Sequence, residues 1–133
     1  MATKQEMFNM VVTHLRAQGR RAQIANGLCR YRTDTGLKCA IGCLIPDELY
    51  SPWLENSLTS DLLSRPGLRE LLTPSDAPGL DAGDFLAGLQ RAHDTMNDDH
   101  AGPGVFESNL RRFAECWKLD LAAPTEVADV INP

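Results

Sequence analysis

The side chains with the most chemical reach in this chain are four cysteines, Cys29, Cys39, Cys43 and Cys116, and three histidines, His14, His93 and His100. Zinc asks for four such ligands converging tetrahedrally, usually as two close pairs. The closest pair here is Cys39-x-x-x-Cys43, wider than the spacing of two found in zinc knuckles. In an extended strand those sulfurs stand roughly 13 Å apart, at about 3.3 Å per residue. A bend at Gly42 is needed to bring them together. Cys29 and Cys39 are better placed, as near-diagonal neighbours across a hairpin. One reading is therefore a metal set of Cys29, Cys39, Cys43 and His93, with zinc as the cofactor of a small metal-dependent enzyme or metal-stabilised domain. The competing reading makes the cysteines inward-facing packing residues with no cofactor. A non-secreted chain keeps its thiols reduced, and a free Cys behaves as a small core residue.

His93-Asp94 is the second constellation, followed by Asp98, Asp99 and His100. An imidazole beside a carboxylate on a helix can bind a divalent metal. The phosphohydrolases named for such a pair recruit further His and Asp from other helices, and His14 is the one remaining histidine here. The alternative is a hydrogen-bonded histidine near a helix end. A third possibility is a thiol nucleophile, Cys39 or Cys43, with His93 as its base. That chemistry needs hydrogen-bond reach and a lowered thiol pKa. Cys43, just ahead of Leu44-Ile45-Pro46, would gain from a nearby helix N-terminus. The sequence holds no phosphate-binding loop, no Gly-x-Gly-x-x-Gly, no Gly-x-Ser-x-Gly and no His-Glu-x-x-His. Conventional nucleotide hydrolysis, Rossmann dehydrogenation and zincin proteolysis are not expected.

The elements that must position these groups are legible as patterns. Thr3-Lys4-Gln5-Glu6 is a capping box. It opens a helix with Met7, Phe8, Val11, Val12 and Leu15 at helical spacing, closed by Gly19. Asn26-Gly27 signals a turn. Leu28 to Arg32, the loop Asp34-Thr35-Gly36, and Leu37 to Cys43 predict a β-hairpin over about residues 28–43. That register pairs Thr33 with Leu37, Tyr31 with Cys39 and Cys29 with Ile41. Cys29, Tyr31, Cys39, Ile41 and Cys43 then face the helices, and Arg30, Arg32, Lys38 and Ala40 face water. Pro46-Asp47-Glu48 and Ser51-Pro52 read as helix starts. Short helices are expected around Asp61 to Leu63 and Leu68 to Leu72. Longer ones run from Ala82 to Met96, capped by Asp81, and from Val105 to Leu119. The fold expected is α+β, a mostly helical small domain with one hairpin packed on helices, spanning 1–133 as a single domain.

Hydrophobic residues make up 43% of the 133, enough for a packed core. No apolar run approaches the roughly 20 residues of a membrane span, and the N-terminal residues lack the pattern of a signal peptide. A cytoplasmic protein without membrane contact is expected. The balance of 18 acidic and 13 basic side chains, net −5, disfavours direct nucleic-acid binding. The early arginines lack interleaved aromatics other than Tyr31. Phe106, Phe113 and Trp117 on the last helix are core residues or, alternatively, a homo-oligomer contact.

Cys29-x-Tyr31-Arg32, then Gly36-Leu37-Lys38-Cys39-Ala40-Ile41-Gly42-Cys43-Leu44-Ile45-Pro46-Asp47-Glu48-x-Tyr50, and the later Leu89-Gln90-x-x-His93-Asp94 resemble a motif of small uncharacterised proteins of bacteria, phages and prophages. Trp117 falls later than that pattern places its tryptophan. The resemblance implies context rather than chemistry: an accessory protein acting during infection, or an inhibitor of a host defence component, with a protein partner. Asp47, Tyr50, His93 and Asp94 are its candidate polar cluster, locking hairpin to helix or forming a binding site, with Arg30 and Arg32 beside them. An acidic inhibitor could fill a basic groove on its target through Asp94, Asp98, Asp99 and Glu107. A small non-enzymatic binding protein is the function expected, with the metal-dependent reading as its alternative.

Overall fold

Thr3 starts the first helix as its sequence suggests. Its hydroxyl accepts from the Glu6 N–H at 3.1 Å, and the Glu6 carboxylate accepts from the Thr3 N–H at 2.9 Å. That backbone hydrogen bond holds the Glu6 carboxyl below its usual range. The computed structural model describes residues 2–20, 22, 30–56, 58–76, 80–94 and 104–122. Helix α1 spans Lys4–Gln18 and ends at Gly19, whose φ of 76° is the left-handed value that favours glycine. Among the described residues four more helices follow: α2 (Thr59–Leu63), α3 (Leu68–Leu72), α4 (Leu80–Asp94) and α5 (Val105–Trp117). Two 3-10 segments, Gly42–Leu44 and Pro52–Asn56, lie between α1 and α2. Among the described residues no helix is long and apolar enough to cross a membrane.

Helix α1 packs on the first 3-10 segment and on α4, and α4 in turn packs on α2 and α5. Their shared core contains Phe8, Leu15, Ile41, Leu62, Leu72, Phe85, Leu89 and Leu110, all fully buried. Aromatic rings join the three long helices. Phe113 of α5 lies 5.4 Å from Phe8 and 5.3 Å from Phe85, and Trp117 meets Phe85 edge-on at 5.3 Å. Such pairs contribute about 0.5–1.5 kcal/mol each beyond the area they bury. Phe106 and Trp117 are half-buried against this same core. Arg16 adds an ionic tie, with Nη2 at 2.6 Å and Nε at 3.0 Å from the two Glu107 oxygens of α5.

The expected hairpin is not there: the described residues contain no β-strand and are mostly helical. The α+β expectation is corrected accordingly. Residues 30–39 do make a tight reversal, but it carries one isolated antiparallel bridge, Arg32 with Lys38. Two observations explain this. First, the outward backbone groups that a further strand would pair are taken by side chains. Lys38 N–H donates to Gln18 Oε1 at 2.8 Å, and its carbonyl accepts from Gln18 Nε2 at 2.9 Å and His14 Nε2 at 3.1 Å. On the other arm, the outward Arg32 N–H donates to Glu55, and so does the Tyr31 N–H, which a ladder would have paired with the Cys39 carbonyl opposite it. Second, the chain coils immediately after Lys38. The N–H of Cys43 bonds the carbonyl of Cys39 at 3.0 Å, and Ala40 and Ile41 are both buried. A strand with one wet face would have exposed Ala40. Gly42 permits the coil by lying against the Tyr31 carbonyl, where a Cβ would sit 1.9 Å from its oxygen.

Candidate functional site

Glu55 gathers the polar residues of the first half of the chain. It belongs to the 3-10 segment Pro52–Asn56, where Leu54 points inward and Trp53 outward. Its Oε1 accepts from Tyr31 N–H at 3.0 Å, and its Oε2 accepts from Arg32 N–H at 3.1 Å and from the Tyr50 hydroxyl. Loss of water around the ring, reinforced by the Glu55 hydrogen bond, pushes the Tyr50 phenol up to about 12. The Arg32 guanidinium stacks 4.7 Å above the Tyr50 ring and donates to Asp47 Oδ1 at 2.6 Å and to the Ile45 carbonyl. The hydrogen bond from Arg32 holds the Asp47 carboxyl below its usual range. Three expected site residues, Arg32, Asp47 and Tyr50, are thus brought together. Arg30 is exposed, its N–H bonded to the Ala22 carbonyl at 2.8 Å.

His93 and Asp94 make a different arrangement. The His93 side chain is 0% exposed, and its Nε2 accepts from the Ala22 N–H at 2.8 Å. A ring nitrogen that accepts carries no proton, so the proton sits on Nδ1 and donates to Asp94 Oδ1 at 2.9 Å. Asp94 also accepts from Gln90 Nε2 at 3.1 Å. A carboxylate orienting an imidazole is the geometry of a catalytic base. Here the base nitrogen is occupied by backbone, so His93 fastens residue 22 to α4 and has no lone pair left for substrate. Asp94 is spent on His93, and Glu107 on Arg16, which removes two of the four carboxylates expected to face a basic groove. Asp98, Asp99 and His100 lie outside the described residues.

The thiols are equally constrained. Burial pushes Cys39 and Cys43 up to about 12. Cys39 Sγ accepts from Gly42 N–H at 3.2 Å, and Cys43 Sγ donates to the Ala40 carbonyl at 3.1 Å. Both thiols stay protonated at neutral pH, unlike an activated nucleophile. Among the described residues no group of three or more His, Cys, Asp or Glu gathers in metal-binding geometry. Cys29 lies outside those residues.

The residues that matter most here carry no motif in the sequence. Trp53 is 78% exposed and Leu58 71% exposed, with Leu49 also exposed. Nothing in periodicity marks Trp53 as outward, because a five-residue 3-10 segment has no repeat to read. A groove of about 340 Å³ between α4 and α5, lined by Arg91, Arg112 and Phe113 among others, was also missed. Its arginines lie about twenty residues apart in the chain and meet only through helix packing. No protein family, curated protein or solved structure matches this chain.

Proposed function

We propose that this is a small, non-enzymatic protein-binding module whose contact surface is the segment from Leu49 to Leu58. The observation that carries the reading is Trp53, held outward at 78% exposure on a segment whose inner side is tied down by Glu55. Tryptophan offers the largest apolar area of any side chain, and it is the residue type most enriched among binding hot spots. Leu49 and Leu58 extend the exposed apolar surface. Pre-ordering matters as well. The Glu55 network holds the turn that carries Trp53 before any encounter, so little conformational entropy remains there to be lost on binding.

An acidic residue flanks the surface: Glu48 is exposed beside Leu49, in a chain of net charge −5, whereas Asp47 is held by Arg32. The partner this fits is a protein with an apolar pocket bordered by lysines or arginines. The resemblance to small phage and prophage proteins supports a host protein, and within that context an inhibitor of a defence component.

The test pairs capture with measurement. Wild type and Trp53→Ala are used side by side to capture proteins from host extract, and any protein retained by the wild type is purified and titrated against both. Loss of the tryptophan is expected to weaken binding by about 2 kcal/mol, roughly 30-fold. A purified partner bound equally by both would place the contact elsewhere and sink the reading. So would self-association that disappears in Trp53→Ala, because the partner would then be a second copy.

A further inference from the structure

The groove between α4 and α5 is built from Gly88, Arg91 and Ala92 of one helix and Asn109, Arg112, Phe113 and Cys116 of the other. Its floor depends on Gly88. A Cβ there would come within 2.7 Å of Phe113 Cε2, so the missing side chain is what lets the ring lie against the α4 backbone. The floor is therefore apolar, with Phe113 and Ala92 each showing only a narrow strip of surface. The rim is cationic. Arg91 and Arg112 are both exposed, and no carboxylate among the described residues forms an ion pair with either. In a chain of net charge −5 two unneutralised guanidinium groups at one groove are a local reversal of sign. The volume of about 340 Å³ falls at the small end of ligand sites.

We propose that this groove binds a small aromatic anion: a flat ring lying over the apolar floor against the rim guanidinium groups, with its carboxylate or phosphoryl group held by Arg91 and Arg112. Guanidinium groups suit both halves of such a ligand. They donate paired hydrogen bonds to the anion and stack on the aromatic face. An aliphatic anion would lose the stacking, and a bare inorganic ion would leave the apolar floor unused. Among the described residues the groove is lined by α4 and α5, so this site stands or falls independently of the Trp53 surface.

The experiment uses the full chain and a local reporter. Cys116 lines the groove and is exposed, whereas Cys39 is buried. Phenyl phosphate, benzoate and inorganic phosphate are titrated calorimetrically. In parallel, the rate of Cys116 alkylation by iodoacetamide is followed by peptide mapping. The aromatic anions are expected to bind at least about tenfold more tightly than inorganic phosphate and to slow Cys116 alkylation several-fold. Preference between phenyl phosphate and benzoate identifies which anionic group the site takes, and either preference supports the site. Arg91→Gln and Arg112→Gln keep long polar side chains at exposed helix positions, so the fold is retained, and each should weaken binding about tenfold. The proposal is overturned if no aromatic anion binds saturably, if inorganic phosphate binds equally well, or if binding neither protects Cys116 nor depends on the two arginines.

Discussion

Replacing Glu55 by alanine tests the network on which the outward segment depends. Three donors lose their acceptor at once: the Tyr31 and Arg32 N–H groups and the Tyr50 hydroxyl. A hydrogen bond to a charged acceptor contributes about 1.5–3 kcal/mol, and an orphaned buried donor costs about 1–3 kcal/mol. All three donors here are only part-buried, and water can replace some of what is lost. About 1 kcal/mol for each, or roughly 3 kcal/mol in all, is the reasonable sum. For a domain of this length that lowers Tm by about 10 °C. Urea unfolding measures the loss directly, with an unchanged m-value showing that the unfolded state is not what moved. Glu55→Gln keeps one acceptor oxygen but turns an NH2 group toward backbone donors, so it should recover less than half of the loss. Tyr50→Phe alone should cost about 1 kcal/mol, and almost nothing once Glu55 is alanine, a coupling visible in the double-mutant cycle. A loss below about 1 kcal/mol for Glu55→Ala, or additive single variants, would refute the network as drawn.

Other expectations follow from single contacts. Gly42→Ala would drive a Cβ into the Tyr31 carbonyl, and neither is a side chain free to move; a loss of at least about 3 kcal/mol in chemical unfolding is expected. The Tyr50 phenol, at about 12 in the fold, lies above its ordinary value of about 10. Unfolded chains ionise first as pH rises, so this stabilisation is intact below about pH 10 and lost between there and about 12; ultraviolet titration should show the late phase, and Tyr50→Phe should abolish it. Near pH 8, a disulfide reagent should modify Cys116 quickly and leave Cys39 and Cys43 until denaturant is added, while fast native reaction of Cys39 would contradict its burial. Arg16→Met removes the pair with Glu107, which retains partial contact with water, so about 1–2 kcal/mol should be lost, with unaltered stability arguing against the α1–α5 tie.

What could be read from the sequence was whatever repeats or caps locally. Thr3, Glu6 and Gly19 delimit α1 because capping is a matter of neighbouring residues. Phe85, Leu86, Leu89 and Ala92 mark the buried side of α4, and Leu110, Phe113 and Ala114 that of α5, because fifteen and thirteen residues are long enough to show a period. The hairpin failed for the opposite reason. Tyr31, Leu37, Cys39 and Ile41 have strand-forming chemistry, and Asp34-Thr35-Gly36 does turn the chain. What breaks the ladder is Glu55, which takes the Tyr31 N–H, while Gln18 and His14 cap the outward edge at Lys38; none of the three lies within ten residues of the backbone group it takes. His93 was recognised as a residue of interest, but its role depends on the Ala22 N–H, seventy-one residues away. Arg32, Asp47 and Tyr50 fall within one short stretch of the sequence; Glu55, which joins them, carries no local signal.

The two tryptophans have opposite surroundings, and this gives the protein a pair of optical gauges. Trp53 projects into water, so its emission should sit at the red end of the indole range and move to shorter wavelength when another surface covers it. Trp117 lies edge-on to Phe85 with the Lys4 ammonium 5.4 Å from its ring centre, so its signal should change when α1 and α5 part. With each indole replaced in turn by phenylalanine, one chain would report association through Trp53 and unfolding through Trp117. An encounter at the surface could then be told apart, without any attached dye, from a loosening of the interior.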